Sequence, residues 1–258
     1  MILDVAGLRF SYNSRAVLGG IEFSVAPGEL SAVLGPNGVG KTTLLKCINA
    51  IHRPRGGAVY VDGKDVLTLS PMEVARKVGY VAQRNEPSRV TAFDAVLMGR
   101  RPHLRWGVSR DDLKKVDAAL RQLGLEDLSM RYVDQISGGE LQKVAIARAL
   151  VQEPRLMLLD EPTSSLDLKN QVEILGLVRR VVTEHRLAAV MTMHDLNTAF
   201  RYADTCIFLI DGKIFFVGPP ADVDAGIIEA VYGLPVDIYR QGGRLLVAPK
   251  IEAMEGNE

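Results

Sequence analysis

The chain has 258 residues, 47% hydrophobic and 24% charged, with 31 basic residues against 31 acidic ones. That length supports a sizeable core, and zero net charge removes any whole-molecule argument for nucleic acid or anionic lipid as partner. Met1-Ile2-Leu3-Asp4 is no signal peptide, and no apolar run approaches the roughly 20 residues that cross a bilayer, so the expected compartment is the cytosol and any membrane role falls to a partner chain. The two cysteines, Cys47 and Cys206, sit in apolar runs without metal-ligand spacing and read as buried thiols in a reducing compartment.

In chain order, Leu3 to Tyr12 and Ile21 to Val25 are β-rich, and Pro27-Gly28 marks a turn before a short apolar strand, Leu30 to Leu34. Helical periodicity then covers Thr42 to Ile51. Arg53-Pro54-Arg55-Gly56-Gly57 stops that helix ahead of a strand, Ala58 to Val61. Ser70-Pro71-Met72-Glu73 is a capping box with proline at the first helical position. Gly79 to Ala82 is a strand ending at Gln83. Between about 84 and 153 strand signals give way to helices at Ala92–Met98, Asp111–Leu123 and Glu140–Val151.

Alternation then resumes: strand Leu156–Leu159, helix Lys169–Thr183, strand Leu187–Met193, helix Leu196–Tyr202 and strand Thr205–Ile210. Gly212 turns into the strand Lys213–Val217. From about 221 a helix runs to Tyr232, and a hairpin follows with Gln241-Gly242-Gly243-Arg244 as its turn. The pattern predicts an α/β fold with a largely parallel sheet covered on both faces, interrupted by a helical insertion.

Gly35-Pro36-Asn37-Gly38-Val39-Gly40-Lys41-Thr42 fits G-x-x-x-x-G-K-[ST] and lies between a strand and a helix, the context the motif requires. Glycines let backbone N–H groups converge on phosphate oxygens, and the helix start adds partial positive charge. Lys41 supplies a full charge, and the Thr42 hydroxyl is placed to hold Mg²⁺. Asp160 and Glu161 end an apolar strand, where ligands of α/β sheets bind. Asp160 is the expected magnesium-side acid, and Glu161 the general base or polariser of a water facing the γ-phosphate. His194 and Gln83, at the ends of two other strands, are candidates to touch the phosphate, the water or the metal.

Ser137-Gly138-Gly139-Glu140 has the form S-x-x-E and reads first as a helix cap. A capped start with two glycines also presents free N–H groups to an anion. A chain with one phosphate loop fills its own pocket, so this second anion site suits the nucleotide of a second copy. A two-fold dimer would then hold two nucleotides, each between one copy's glycine loop and the other's Ser137 helix.

Taken together, these motifs resemble the ATP-binding subunits of ABC transporters over nearly the whole chain. Residues 35–42 match the Walker A motif, 156–161 Walker B with its catalytic glutamate, and Ile136–Glu140 the family signature, here ISGGE where LSGGQ is usual. Gln83 matches the Q-loop glutamine, Ser164-Ser165-Leu166-Asp167 the D-loop, and His194 the switch histidine. Tyr12 falls where the family stacks an aromatic on adenine.

The resemblance implies a P-loop NTPase core with an N-terminal antiparallel β subdomain and an inserted helical subdomain. The expected divisions are a core in two parts (1–83 and 154–220), the insertion (84–153) and a C-terminal appendage (221–258). It implies ATP and Mg²⁺ as ligands. Tyr12, Gly35, Pro36, Asn37, Gly38, Val39, Gly40, Lys41, Thr42, Thr43, Ser137, Gly138, Gly139, Glu140 and Asp167 would bind nucleotide; Thr42, Gln83 and Asp160 would hold the metal; Glu161, His194 and Gln83 would be catalytic.

With no membrane span of its own, the chain is similar to prokaryotic importer ATPases. These work as a homodimer at the cytoplasmic face of the membrane, with two permease subunits and an extracytoplasmic substrate-binding protein. The stretch Val90 to Trp106 resembles ATPases serving uptake of iron–siderophore, haem, cobalamin or molybdate. There Arg100, Arg101, His103, Arg105 and Trp106 would line or flank the contact with the membrane subunit. A soluble ABC-type ATPase uncoupled from transport is the alternative from a different class.

Overall fold

The computed structural model describes residues 1–83, 89–104, 106–242 and 244–250. In chain order it contains β1 (Leu3–Tyr12), β2 (Arg15–Val25), β3 (Leu30–Leu34), α1 (Lys41–Ile48), β4 (Gly56–Val61), β5 (Lys64–Asp65), α2 (Pro71–Ala75) and β6 (Val78–Val81). Next come α3 (Ala92–Leu97), α4 (Arg110–Gln122), α5 (Gly138–Leu150), β7 (Leu156–Asp160), α6 (Leu168–Glu184), β8 (Ala188–Thr192), α7 (Leu196–Tyr202), β9 (Thr205–Ile210) and β10 (Lys213–Gly218). The chain closes with α8 (Ala225–Tyr232), β11 (Val236–Gln241) and β12 (Arg244–Pro249).

A six-stranded sheet in the order β10-β9-β3-β8-β7-β6 forms the centre. Its strands are parallel except β10, which returns antiparallel to β9 through Asp211-Gly212. Strands β3, β7 and β8 are buried at every residue. This is the near-continuous apolar character of a sheet covered on both faces. Side chains alternate between two cores: Met157 and Leu159 join the helices, while Leu156 and Leu158 join α1 and a second sheet. That second sheet is antiparallel, in the order β2-β1-β4-β5.

The principal departure from the sequence reading lies in β2, which begins at Arg15 rather than Ile21. Leu8 pairs with Ile21 and Arg9 with Gly19, so Gly20, at φ 93°, is the extra residue of a bulge rather than a break. Helix α1 ends at Ile48, three residues short of the predicted Ile51, because the chain turns at Ala50 with φ 54°. Helix α8 begins at Ala225, capped by Asp224, about four residues after the expected start near 221, and the other predicted elements differ by about two residues or fewer at either end.

Among the described residues between β6 and β7 the regular elements are all helical, apart from a single bridge between Thr91 and Tyr132. Helices α3, α4 and α5 pack Val96, Val116, Leu120 and Ile146 into the larger core. The basic stretch before α4 needs a correction. Arg100 is only 3% exposed and faces inward. Its guanidinium donates to Asp112 at 2.8 Å, to the Val151 carbonyl at 2.6 Å and to Glu153 at 2.8 Å. The His103 Nε2 lies 2.8 Å from the Gln152 carbonyl. Both tie this stretch to the residues just after α5; Arg100 is buried away from any outer contact, whereas His103 is half-buried and Arg101 and Trp106 are exposed. Arg105 lies outside the described residues, as do residues 84–88 at the start of the insertion and Gly243 of the hairpin turn.

The C-terminal elements pack onto the same core. Ile228, Val231, Val236 and Leu245 are buried in it, and Gly233, at φ 67°, ends α8. The hairpin pairs Gln241 with Arg244 across its turn. Cys47 and Cys206 are fully buried, and burial pushes both thiols up to about 12.

Candidate functional site

The site begins where β3 runs into α1. Gly35 has φ 143°, and a Cβ there would stand 2.5 Å from the Leu209 carbonyl oxygen, so only glycine fits. Gly38 and Gly40 also have positive φ, 79° and 111°, which wraps the loop around the start of α1. Lys41 is the first residue of that helix and only 6% exposed. Its Nζ donates to the carbonyls of Gly35 at 2.7 Å and Pro36 at 3.1 Å. Burial pushes its pKa down, opposed by the charges of Glu161 and Asp160.

Asp160 ends β7 and is 2% exposed. Its Oδ1 accepts from the Thr42 hydroxyl at 3.0 Å and the Thr192 hydroxyl at 2.9 Å, and its Oδ2 from the Tyr80 hydroxyl at 3.3 Å. Glu161 follows in the left-handed region at φ 48°, unusual for a residue with a side chain. Its N–H donates to the Thr192 hydroxyl oxygen at 2.9 Å, which secures the turn. The Gln83 amide donates to its Oε2 at 2.6 Å, and His194 Nε2 contacts its Oε1. Gln83 and His194 therefore both converge on Glu161, while Thr42 is the group placed on Asp160.

These residues border an open cleft of about 710 Å³, lined by residues 36–43, Glu161, His194, Tyr12, Arg15 and the Asp211-Gly212 turn, among others. Tyr12 is 46% exposed at its rim. Its hydroxyl lies 2.8 Å from His52 Nε2, and its ring meets Phe10 and His52 edge-on. A ring held from behind in this way leaves its exposed part for a flat ligand. The glycine loop, the buried ammonium and the hydroxyl–carboxylate pair suit a nucleoside triphosphate with a divalent cation: Lys41 toward the phosphates, Thr42 and Asp160 toward the metal.

The second motif stands apart, for residues 137–140 and Asp167 do not line this cleft. The Ser137 hydroxyl accepts from the Glu140 N–H at 3.3 Å, while the Glu140 carboxylate accepts from the Ser137 hydroxyl and N–H, both at 2.7 Å. These bonds hold the Glu140 carboxyl below its ordinary value and turn it back over Ser137. Ser137 and Gly138 are exposed. Gly139 is buried, and a Cβ there would stand 2.6 Å from the Asn170 amide oxygen. Asp167 caps α6, accepting from Asn170 N–H at 2.8 Å and its amide at 3.0 Å.

Three residues that touch the site gave little sign in the sequence. Tyr80 and Thr192 hold Asp160, and the Tyr232 hydroxyl accepts from the Gly35 N–H at 3.0 Å. Thr192 carries the clearest signal, as the only hydroxyl in the strand AAVMT. Tyr80 and Tyr232 read as ordinary core aromatics.

Residues 18–164 match the family model described as ABC transporter. An uncharacterised ABC transporter ATP-binding protein of Methanocaldococcus jannaschii is 48% identical over 249 residues, 96% of this chain and 98% of the relative. A ferric enterobactin transport ATP-binding protein of Escherichia coli is 37% identical over 233 residues, 88% of this chain and 85% of the relative. Among solved structures, a chain of an inward-facing, metal-chelate type ABC transporter superposes with a TM-score of 0.84 at 29% identity, covering 98% of this chain and 99% of that one. A dimeric ATP-binding cassette in a post-hydrolysis state with ADP and Pi gives 0.75 at 28% identity, covering 84% and 98%.

Proposed function

This chain belongs to the ABC transporter family, and from that premise we propose that it is the ATP-hydrolysing subunit of a metal-chelate importer, working as a homodimer on two membrane-embedded permease subunits. The observation that carries the dimer is the exposed Ser137-Gly138 helix start lying outside the cleft of its own chain. A capped N-terminus with free N–H groups is an anion site in search of a phosphate, and a second copy's cleft supplies one. The dimeric cassette among the structural neighbours supports the same arrangement.

In this reading Tyr12 stacks on the adenine, residues 35–43 cradle the phosphates, and the partner copy contributes Ser137, Gly138, Gly139 and Glu140, with Asp167 beside them. Glu161 is the base toward the attacking water. Gln83 and His194 hold its two carboxylate oxygens, so both act on the proton-accepting group. Thr42 and Asp160 would hold Mg²⁺, which supplies charge neutralisation at the phosphate oxygens. The divisions at 83/84, 153/154 and 220/221 fit as the boundaries of core, insertion and appendage.

The metal-chelate class is supported by the type of the structural neighbour and by the names of relatives for petrobactin, enterobactin and cobalamin. Among the described residues no helix is long and apolar enough to cross a membrane. The proposed location is thus peripheral, at the cytoplasmic face, with an extracytoplasmic binding protein delivering substrate. Affinity purification of the tagged chain from its native membranes tests this. The expected result is a co-purifying polytopic subunit and ATP hydrolysis that rises when binding protein and a ferric siderophore, haem or cobalamin are added to the reconstituted complex. Recovery only in a soluble complex, with hydrolysis indifferent to the membrane subunit, would support the uncoupled ATPase instead.

A further inference from the structure

Among the described residues the C-terminal appendage contributes no charged group to the cleft, yet it is fastened at one point to the phosphate loop and at another to the helix that follows His194. At one point the Tyr232 hydroxyl accepts from the Gly35 N–H at 3.0 Å. At the other, the Asn197 side chain makes a two-way pair with Val247 of β12, accepting from its N–H at 2.8 Å and donating to its carbonyl at 3.2 Å. Asn197 lies in α7, three residues after His194. Between the two points Ile228, Val231, Val236 and Leu245 anchor the appendage in the core, and Val231 reaches the cleft wall.

Gly35 is held on three sides. Its N–H goes to Tyr232, its carbonyl accepts from Lys41 Nζ at 2.7 Å, and the Leu209 carbonyl blocks the space where a Cβ would stand. The Gly35 N–H and C=O belong to the two successive peptide planes that meet at its Cα, so bonds to both restrain the φ and ψ between them and, with them, the carbonyl on which Lys41 rests. From this geometry we infer that Tyr232 is a positioning residue of the nucleotide site, acting through Gly35 to set the entrance of the phosphate loop and the resting place of Lys41. Burial pushes the phenol up to about 12, so the group stays a neutral hydroxyl across the working range, its oxygen free to accept. The inference deepens the ATPase reading and rests on it, and it gives the appendage a task that the cassette motifs do not describe.

Tyr232→Phe in the full-length chain removes the hydroxyl and keeps the ring. The Gly35 N–H then lacks its acceptor, and an unsatisfied buried donor of this kind weakens the state that needs it by about tenfold. Two readouts separate positioning from packing. Hydrogen exchange in peptides spanning residues 30–42 should accelerate in the variant without nucleotide, while peptides from β7 and β8 stay unchanged. The KM for ATP should rise about tenfold with kcat within about twofold.

Unchanged exchange over residues 30–42, or an unchanged KM, would overturn the inference. So would acceleration spread evenly over the sheet with a lowered melting temperature, since that is the mark of a packing residue. Failure of the wild-type chain to bind ATP would instead count against the ATPase reading, and the exchange measurement, made without nucleotide, is independent of it.

Discussion

The cleft around Lys41 and the helix start at Ser137, which we propose both receive anions, are assembled in opposite ways. In the cleft, the bonds that place the chemical groups cross long stretches of chain: Thr42 to Asp160, Gln83 to Glu161, Thr192 to Asp160. At Ser137 the capping bonds stay within three residues. The first is a product of the sheet, which brings the ends of β3, β6, β7 and β8 to one edge. The second is a product of local sequence and would form on almost any helix. A site assembled from many strands can be complete within one chain, whereas a bare helix start becomes a site only when something is brought to it. The dimer proposal follows from that difference.

The comparison can be broken most severely at Glu161. Glu161→Gln should lower steady-state hydrolysis by about 10²- to 10⁴-fold while ATP still binds and holds a dimer visible by size-exclusion chromatography. Wild-type turnover would remove Glu161 from the chemistry.

Ser137→Arg addresses the other region. It should abolish ATP-driven dimerisation and with it hydrolysis, while a fluorescent-nucleotide titration of the monomer gives the wild-type Kd. A dimer that still forms and turns over would mean that the helix start takes no part across the interface. Lys41→Ala tests whether the cleft alone sets affinity, since losing a charge-assisted donor should weaken binding about 10- to 100-fold in the same titration.

The smallest effect sharpens the local character of the Ser137 site. Glu140→Ala removes half of the capping box and should cost about 0.5–1 kcal/mol in denaturant melts near pH 7, whereas Glu140→Gln, which can also cap, should cost less. Because the Ser137 hydroxyl and N–H hold the Glu140 carboxyl below its ordinary value when folded, its contribution is fully present above the unfolded pKa. It is lost as pH falls through the lower folded one. The stability gap between wild type and Glu140→Ala should therefore shrink under acid conditions, and a gap that widens there would contradict the capping geometry.

Most of the fold was legible because its signals are local. The capping boxes at Ser70 and Ser137, the glycine loop and the alternation after residue 154 each declare themselves within a few residues. The sequence reading began the second strand at Ile21, and only the pairing of Arg9 with Gly19 and Leu8 with Ile21 shows that the strand runs through the two glycines with a bulge. Arg100 misled for a related reason. A run of basic residues looks solvated until Asp112, Glu153 and the Val151 carbonyl are found around one of them.

The sequence by itself pointed to the groups proposed for the chemistry: the phosphate loop, the two acids Asp160 and Glu161, the strand-end glutamine and histidine, and the capped helix start at Ser137. Their motifs are short, and the residue types follow from what phosphate, metal and water require. Only the tertiary structure decided what holds those groups in place. It set Gln83 and His194 on Glu161, Tyr80 and Thr192 on Asp160, and Tyr232 of the appendage on Gly35. The physical reason is that a supporting hydrogen bond needs just one donor or acceptor at the right point in space. Almost any strand or helix can deliver it, and no local pattern announces which one does.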